Sequence, residues 1–291
     1  MPFKRLLNYS EEKTHQKLRE MCEQNGASVF PKVRVADILP IEKSGISDQE
    51  FRFALQSHFD FTFCDENHTP LFAIEFDGAL HEEKVQRARD IQKGRLCKHF
   101  GFPILRINSS YIEREFRGMD LLTYFIEVWF HAQAFYEAQE QGLIPLDEDF
   151  DPASIVTPRQ GKLFPYWLSL EVKIKIEELH SKGMIIDYRV SHIIAKDTQG
   201  DYRAMGYIFI TSNTGICAFT AMHSQDFPII ESDVLGELIV FETYEALLDV
   251  LSGRHKPWSG TEIDAKIKEF HKRYGALQFC SISCSSHGRT G

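Results

Sequence analysis

The sequence predicts an α/β domain followed by a smaller α+β domain with an antiparallel sheet. The 291 residues are more than one compact domain usually needs and suffice for two. Segments with helical and strand periodicity alternate in the first half, whereas turn-rich segments join three strand candidates in the second half. We therefore expect a first domain with a helical extension over residues 1–142, a linker over 143–165, a second domain over 166–276 and a flexible tail over 277–291.

The first predicted elements are a helix and a strand. Asn8 followed by Glu11 has the spacing of a capping box, so a helix should begin there and run to about Gln24. Residues 28–35 are rich in strand-forming side chains, and residues 40–50 have the composition of a polar loop.

A β-hairpin is predicted next, with strands over Phe59–Cys64 and Leu71–Asp77 joined by a polar turn. The period-two alternation places the apolar side chains on the core face of each strand, namely Phe59, Phe61 and Phe63 on the first and Phe72, Ile74 and Phe76 on the second. Asp60 points from the opposite face of its strand, as do Glu75 and Asp77 from theirs. The hairpin should therefore carry its acidic residues on one side.

Helical periodicity returns over about residues 82–100, and Gly101-Phe102-Pro103 ends that helix. Ile104–Ile107 has the composition of a short buried strand. Residues 109–141 are predicted to be helical and are rich in aromatic side chains. We expect those side chains to pack in a core rather than to stack on nucleobases.

The second half should begin with a helix over residues 169–182 that ends at Gly183. Strands are predicted over 185–195, 202–211 and 216–222, with residues 238–241 as a candidate fourth strand and helices over 243–251 and 261–274.

Composition limits the class of protein. No apolar run approaches the roughly 18 residues of a membrane span, and the first residues lack the apolar stretch of a signal peptide, so we expect a cytoplasmic protein with reduced cysteines. The net charge of −9 counts against a strong nucleic-acid binder, although the basic residues within 84–98 could form a local phosphate-binding surface. A solvated helix face is the other interpretation of those basic residues.

Asp60 and Glu75 lie on neighbouring predicted strands, so their carboxylates should lie close together. Carboxylate oxygens are the ligands that Mg²⁺ and Mn²⁺ prefer, and such ions can activate water for phosphodiester hydrolysis. Alternatively, the two acids simply face solvent on a one-sided hairpin. Flanking helices favour a sheet covered on both faces, where burying Asp60, Glu75 and Asp77 together would cost several kcal/mol unless a cation or strong partners offset the cost.

Several short motifs occur in order along residues 5–110. They are Leu6-Leu7 followed by Glu11, Lys32-Val33-Arg34-Val35-Ala36-Asp37, Asp60-Phe61, Ile74-Glu75-Phe76-Asp77-Gly78 followed by His81, Arg89-Asp90, and Gly101-Phe102-Pro103-Ile104-Leu105-Arg106-Ile107. Together they resemble the PD-(D/E)XK, or restriction-endonuclease-like, nuclease superfamily, and within it a branch of small bacterial domains of unknown function related to very-short-patch repair endonucleases. The resemblance implies an αβββαβ core with a mixed central sheet.

The resemblance also implies an active site that uses Mg²⁺ or Mn²⁺. Asp60 and Glu75 would be the main metal ligands, and Glu11 on the first helix would complete or support the site. His81 would orient a ligand or transfer a proton, and Asp90 would organise the helix edge of the site. The full candidate catalytic set is Glu11, Asp60, Glu75, Asp77, His81, Asp90 and Lys93.

The chain departs from the family pattern at Asp77, because the family has a lysine two residues after the second-strand acid. Lys93, one helical turn after Asp90, is the first candidate to replace that lysine, and His81 is the second. An i,i+3 ion pair between Lys93 and Asp90 is an equally open interpretation.

The predicted function is divalent-metal-dependent phosphodiester hydrolysis, with DNA as the favoured partner, in repair, restriction or defence. Candidate nucleic-acid contacts are Arg87, Arg89, Lys93 and Arg106. Arg106 could also pair with Glu11 or Glu75 in the core. Two alternatives stay open: a non-catalytic nucleic-acid-binding module on the same fold, and an assembly protein whose second domain binds a protein partner or a second copy.

Overall fold

The structure is a computed structural model that describes residues 5, 7–77, 84–108, 114–116, 119–152, 158–159, 162–163, 168–198, 200–274 and 279–283. The chain divides into two compact units, of which the first comprises residues 1–115, 120–148 and 225–228 and the second comprises 116–119, 149–224 and 229–291. The first unit thus includes a short segment from within the stretch predicted as the second domain.

The first part of the chain contains α1 (Tyr9–Gln24), β1 (Ser28–Pro31), α2 (Val35–Ile38), α3 (Asp48–Gln56), β2 (Phe61–Cys64), β3 (Pro70–Asp77), α4 (Lys84–Phe100), β4 (Ile104–Asn108), β5 (Glu115–Phe116), β6 (Met119–Asp120) and α5 (Leu121–Glu140). Next come β7 (Pro158–Arg159), β8 (Lys162–Leu163), α6 (Leu170–Ser181), β9 (Ser191–Lys196), β10 (Tyr202–Thr211), β11 (Thr214–Met222), α7 (Glu231–Leu251), β12 (Trp258–Ser259), α8 (Gly260–Tyr274) and β13 (Phe279–Ser283).

A mixed four-stranded sheet in the order β1-β2-β3-β4 forms the centre of the first unit. The β1–β2 and β2–β3 pairs are antiparallel, whereas β4 runs parallel to β3 with Glu75 opposite Arg106. The predicted hairpin is therefore confirmed, as is the helix that Asn8 and Glu11 cap. A β3-α4-β4 crossover supplies the parallel pairing, because parallel neighbours need a long connection.

Both faces of this sheet are covered, and the predicted orientation of Phe59 is wrong. Phe59 packs in a cluster with Ala73, Leu96 and Phe102, on the face that α4 covers. Phe63 instead stacks on Phe72, with ring centroids 4.5 Å apart, on the opposite face. The chain bends at Asp60, just before β2 begins, so the period-two alternation does not extend back to Phe59.

Two helices, α2 and α3, overlap segments that were predicted to be strand or loop. The strand candidate over residues 28–35 ends at Pro31, and α2 begins at Val35. The loop candidate over residues 40–50 overlaps α3, which Ser47 and Glu50 begin with a capping box. Helix α3 is short and its first turn is polar, so its apolar residues did not reveal a helical period. The capping box of Ser47 and Glu50 was the sequence feature that could have predicted this helix.

The prediction of a helix over residues 109–141 is only partly correct, because Glu115–Phe116 and Met119–Asp120 are strands and helix α5 begins at Leu121. The aromatic side chains of α5 include core members such as Phe125 and Trp129. Residues 109–113 lie outside the described part of the chain. Among the described helices, α5 included, none combines the length and apolar character needed to cross a membrane. Cys22, Cys64, Cys97 and Cys217 are free thiols in buried positions.

The second unit has a five-stranded antiparallel sheet in the order β12-β11-β10-β9-β13. Helix α7 packs against this sheet, and the predicted fourth strand over Leu238–Phe241 is wrong because these residues lie within α7. A short continuous apolar run fits a buried helix as well as a buried strand, and here the helix side chains Leu238, Ile239 and Val240 are buried.

Gly206 on β10 allows α7 to approach the sheet closely. A Cβ added there would lie 2.2 Å from Thr243 Oγ1 and 2.9 Å from Ile239 Cγ1.

We expect Gly206→Ala to lower the free energy of unfolding by about 1–3 kcal/mol, because the packed helix must shift. Urea denaturation measures this, with Gly236→Ala in α7 as control, where the nearest atoms would be 3.6 Å away. Equal stability of Gly206→Ala and wild type would contradict the tight approach.

Candidate active site

A cleft of about 300 Å³ lies in the first unit. The end of α3, the bend before β2, strand β3 and the first half of α4 line it, through Phe53, Gln56, Ser57, His58, Asp60, Glu75, Phe76, Arg89, Asp90 and Lys93. Five of the predicted site residues, Asp60, Glu75, Arg89, Asp90 and Lys93, therefore meet in one depression. The β-hairpin supplies Asp60 and Glu75, and α4 supplies Arg89, Asp90 and Lys93.

Glu75 and Lys93 form a buried ion pair within this cleft. Lys93 Nζ donates to Glu75 Oε1 at 2.7 Å and to the carbonyl oxygen of His58 at 2.8 Å, and it lies 5.7 Å from the ring centroid of Phe59. Glu75 is 7% and Lys93 8% exposed. The sequence left open whether Lys93 replaces the family lysine at the site or pairs with Asp90 on its own helix. The structure pairs Lys93 with Glu75 of β3 and not with Asp90.

The pKa of Glu75 is raised from its usual value to about 7, mainly by burial and in part by the nearby negative charge of Asp60. The charges of Lys93 and Arg106, together with the Lys93 hydrogen bond, act in the opposite direction. A carboxyl group with this pKa exchanges its proton near neutral pH, as a group that holds or releases protons during catalysis must.

Asp60 is held from two sides at the bend before β2. Its Oδ1 accepts from Lys32 Nζ at 2.7 Å, and its Oδ2 accepts from the backbone N–H of Phe76 at 3.0 Å. Lys32 Nζ also lies 2.9 Å from Glu11 Oε1, while Glu11 Oε2 caps α1 through the Asn8 backbone N–H. Glu11 therefore reaches the site through Lys32.

Lys32 begins the Lys32–Asp37 motif, but no role for it was predicted from the sequence. Desolvation lowers the pKa of Lys32, but its hydrogen bonds to Asp60 and Glu11 outweigh that effect and leave the pKa above its usual value. The ammonium therefore stays charged at neutral pH. Spacing along the sequence did not indicate the role of Lys32, because Lys32 and Asp60 are 28 positions apart.

Arg106 ties β4 to α4, since its Nη2 donates to the carbonyl oxygen of Asp90 at 2.8 Å. Gln225 pairs with both the N–H and the carbonyl oxygen of Arg106, at 2.9 and 3.1 Å. Arg106 thus supports the wall of the cleft, while the exposed Arg89 lies at its rim.

Three further predicted residues receive no structural description of their side chains. His81 lies outside the described residues. Asp77 ends β3 and Arg87 lies in α4, but only their backbone is described.

Ser57 also lines the cleft, although its sequence context did not predict a role for it. It is 6% exposed, and its Oγ has no hydrogen-bond partner among the described residues. A buried hydroxyl without a partner costs about 1–3 kcal/mol. A polar ligand that enters the cleft would remove that cost, so Ser57 is a sign of a ligand-binding site.

Two carboxylates that line the cleft, those of Asp60 and Glu75, could hold Mg²⁺ or Mn²⁺ together with water or substrate oxygens. Among the described residues, no three His, Cys, Asp or Glu side chains are grouped so that they could hold a metal ion by themselves. Mg²⁺ characteristically binds one or two carboxylates and keeps water and substrate phosphate as its other ligands. Asp60 and Glu75, beside the unsatisfied hydroxyl of Ser57, provide such a partial set.

The cleft lies within the part of the chain that matches a known family model. Residues 3–119 match a family model described as "Protein of unknown function (DUF2726)". That range includes every residue that lines the cleft, together with Glu11 and Lys32. No curated protein and no solved structure matches the chain.

Proposed function

We propose that this chain is a divalent-metal-dependent nuclease that hydrolyses phosphodiester bonds in DNA, in repair, restriction or defence. The observation that carries the proposal is the meeting of Asp60, Glu75 and Lys93 in one cleft. The order α1-β1-β2-β3-α4-β4 around a mixed sheet supports a restriction-endonuclease-like core, since it follows the αβββαβ order that the motif resemblance implies. Short helices α2 and α3 are inserted before β2.

Asp60 and Glu75 would hold Mg²⁺ or Mn²⁺, which when bound supplies an activated water and stabilises the charge that develops on the phosphate. Lys93 brings a positive charge to Glu75 from α4, where the family pattern places a lysine on the strand at the position of Asp77. We infer that Lys93 takes the role of that lysine. Its ammonium is held by the carbonyl oxygen of His58 and by Glu75, so it is oriented toward Glu75 before substrate arrives.

Phosphate binding in the proposed complex rests on the rim of the cleft. Arg89 is exposed at this rim and can donate to a phosphate through two N–H groups. Ser57 supplies a hydroxyl within the cleft. Arg89 places a positive charge at the rim, where a phosphate could bind even though the chain has a net charge of −9.

A second candidate function is nucleic-acid binding without cleavage. The observation that favours it is that lysine ammonium groups already compensate both principal acids, Lys32 at Asp60 and Lys93 at Glu75. Such a module would bind DNA with a steep dependence on salt concentration and would leave the strand intact with either metal.

Metal removal tests the proposed function directly. We expect the full chain to cleave plasmid or single-stranded DNA with Mg²⁺ or Mn²⁺, and cleavage to stop when EDTA removes the metal and to return when Mn²⁺ is added back. Gel electrophoresis of the products measures it. Cleavage that persists in EDTA would contradict the metal-dependent mechanism, and salt-sensitive binding without cleavage under either metal would favour the second candidate.

A further inference from the structure

The ammonium group of Lys32 lies between two carboxylates of the site. It is 2.9 Å from Glu11 Oε1 and 2.7 Å from Asp60 Oδ1. The side chains of both acids are 24% exposed, so their mutual repulsion is only partly screened by water. A single positive charge between them offsets that repulsion and keeps α1 and the bend before β2 together.

The backbone of Lys32 is held in an unusual conformation that aims its side chain at Asp60. Its φ is +54°, in the left-handed region that disfavours residues other than glycine. The N–H of Lys32 also donates to the carbonyl oxygen of Asp60 at 3.0 Å. A glycine at position 32 would adopt this conformation without strain. The presence of a lysine therefore indicates that its side chain has a function at this position.

We propose that Lys32 is a positioning residue that holds Glu11 and Asp60 in place before the metal binds and competes with the metal for Asp60. This inference rests on the proposed function. A divalent cation on Asp60 would lie within a few ångströms of the Lys32 ammonium, and the two positive charges repel each other. Lys32 would therefore weaken metal binding to the free protein.

The negative charge of a phosphodiester offsets this repulsion when substrate is present. Metal and DNA should then bind with positive coupling, since each lowers the electrostatic cost of the other. The consequence is a site that takes up its metal mainly together with DNA.

Binding of Mn²⁺ alone to the full-length protein, without DNA, tests the inference by electron paramagnetic resonance of free and bound Mn²⁺. We expect Lys32→Met to bind Mn²⁺ at least about tenfold more tightly than wild type. Lys32→Gly should also bind Mn²⁺ more tightly than wild type. Because glycine adopts a positive φ without strain, this variant replaces Lys32→Met in the test if the methionine variant folds poorly. Lys32→Arg should keep the wild-type affinity because it retains the positive charge.

Lys43 provides a matched control, since it is an exposed lysine whose φ is +57°. Lys43→Met should leave Mn²⁺ affinity unchanged. If wild type binds Mn²⁺ and Asp60→Asn abolishes that binding, but Lys32→Met and Lys32→Gly bind no more tightly, the role of Lys32 is overturned and the proposed metal site stands. If neither wild type nor the Lys32 variants bind Mn²⁺, the proposed metal site and this inference are both overturned.

Discussion

Replacing Asp60 with asparagine, or Glu75 with glutamine, is expected to reduce metal-dependent DNA cleavage by at least about 1,000-fold. Losing a ligand removes several kcal/mol of transition-state stabilisation, and each 1.36 kcal/mol is a factor of ten in rate. Both substitutions keep the shape of the side chain. An asparagine oxygen at position 60 can still accept the Phe76 N–H that Asp60 Oδ2 accepts now. Loss of cleavage in a folded variant would then report the missing charge.

Single-turnover cleavage of one DNA substrate with saturating Mn²⁺ measures the effect, with circular dichroism to verify folding. Glu66→Gln is the matched control, because Glu66 is an exposed glutamate in the turn of the same hairpin. Its cleavage rate should equal that of wild type. Undiminished cleavage by folded Asp60→Asn and Glu75→Gln would show that the cleft does not carry the chemistry.

Glu75 is expected to make the stability of the first unit depend on pH in a direction unusual for a carboxyl group. Burial raises its pKa from 4.5 to about 7, so the folded state retains the proton more strongly than the unfolded state. The contribution of Glu75 to the free energy of unfolding therefore decreases as the pH rises from about 4.5 to 7. The full loss is about 3 kcal/mol, since one pKa unit corresponds to 1.36 kcal/mol.

Glutamine at position 75 cannot titrate, so Glu75→Gln should gain stability relative to wild type as the pH rises. We expect the difference between the two proteins to change by about 2–3 kcal/mol between pH 5 and pH 8, as measured by urea denaturation at each pH. Glu66→Gln should show no such change. A constant difference between Glu75→Gln and wild type at both pH values would mean that burial does not perturb this carboxyl group in the folded protein.

Local features of the sequence predicted much of the first unit. The spacing of Asn8 and Glu11 predicted α1, and the alternation within residues 71–77 predicted β3 and its place in a hairpin. These predictions were confirmed because caps and strand periodicity depend on neighbours a few residues away. Helix α3 was missed although Ser47 and Glu50 form the same kind of cap.

Predictions that depended on the identity of the packing partner were less successful. The apolar run at Leu238–Phe241 indicated burial but not helix or strand. The face on which Phe59 packs depended on a bend at Asp60 that alternation does not reveal. In both cases, hydrophobicity shows that a side chain is buried and leaves open which element covers it.

The sequence by itself determined the inventory of the site: two hairpin acids, an acid on the first helix and basic residues on the helix after the hairpin. Only the tertiary structure decided which charges meet. It paired Lys93 with Glu75, 18 residues away, and Lys32 with Asp60, 28 residues away, and it placed the hydroxyl of Ser57 among them. The physical reason is that ion pairs act through space, so their partners are set by how strands, bends and helices pack rather than by spacing along the chain.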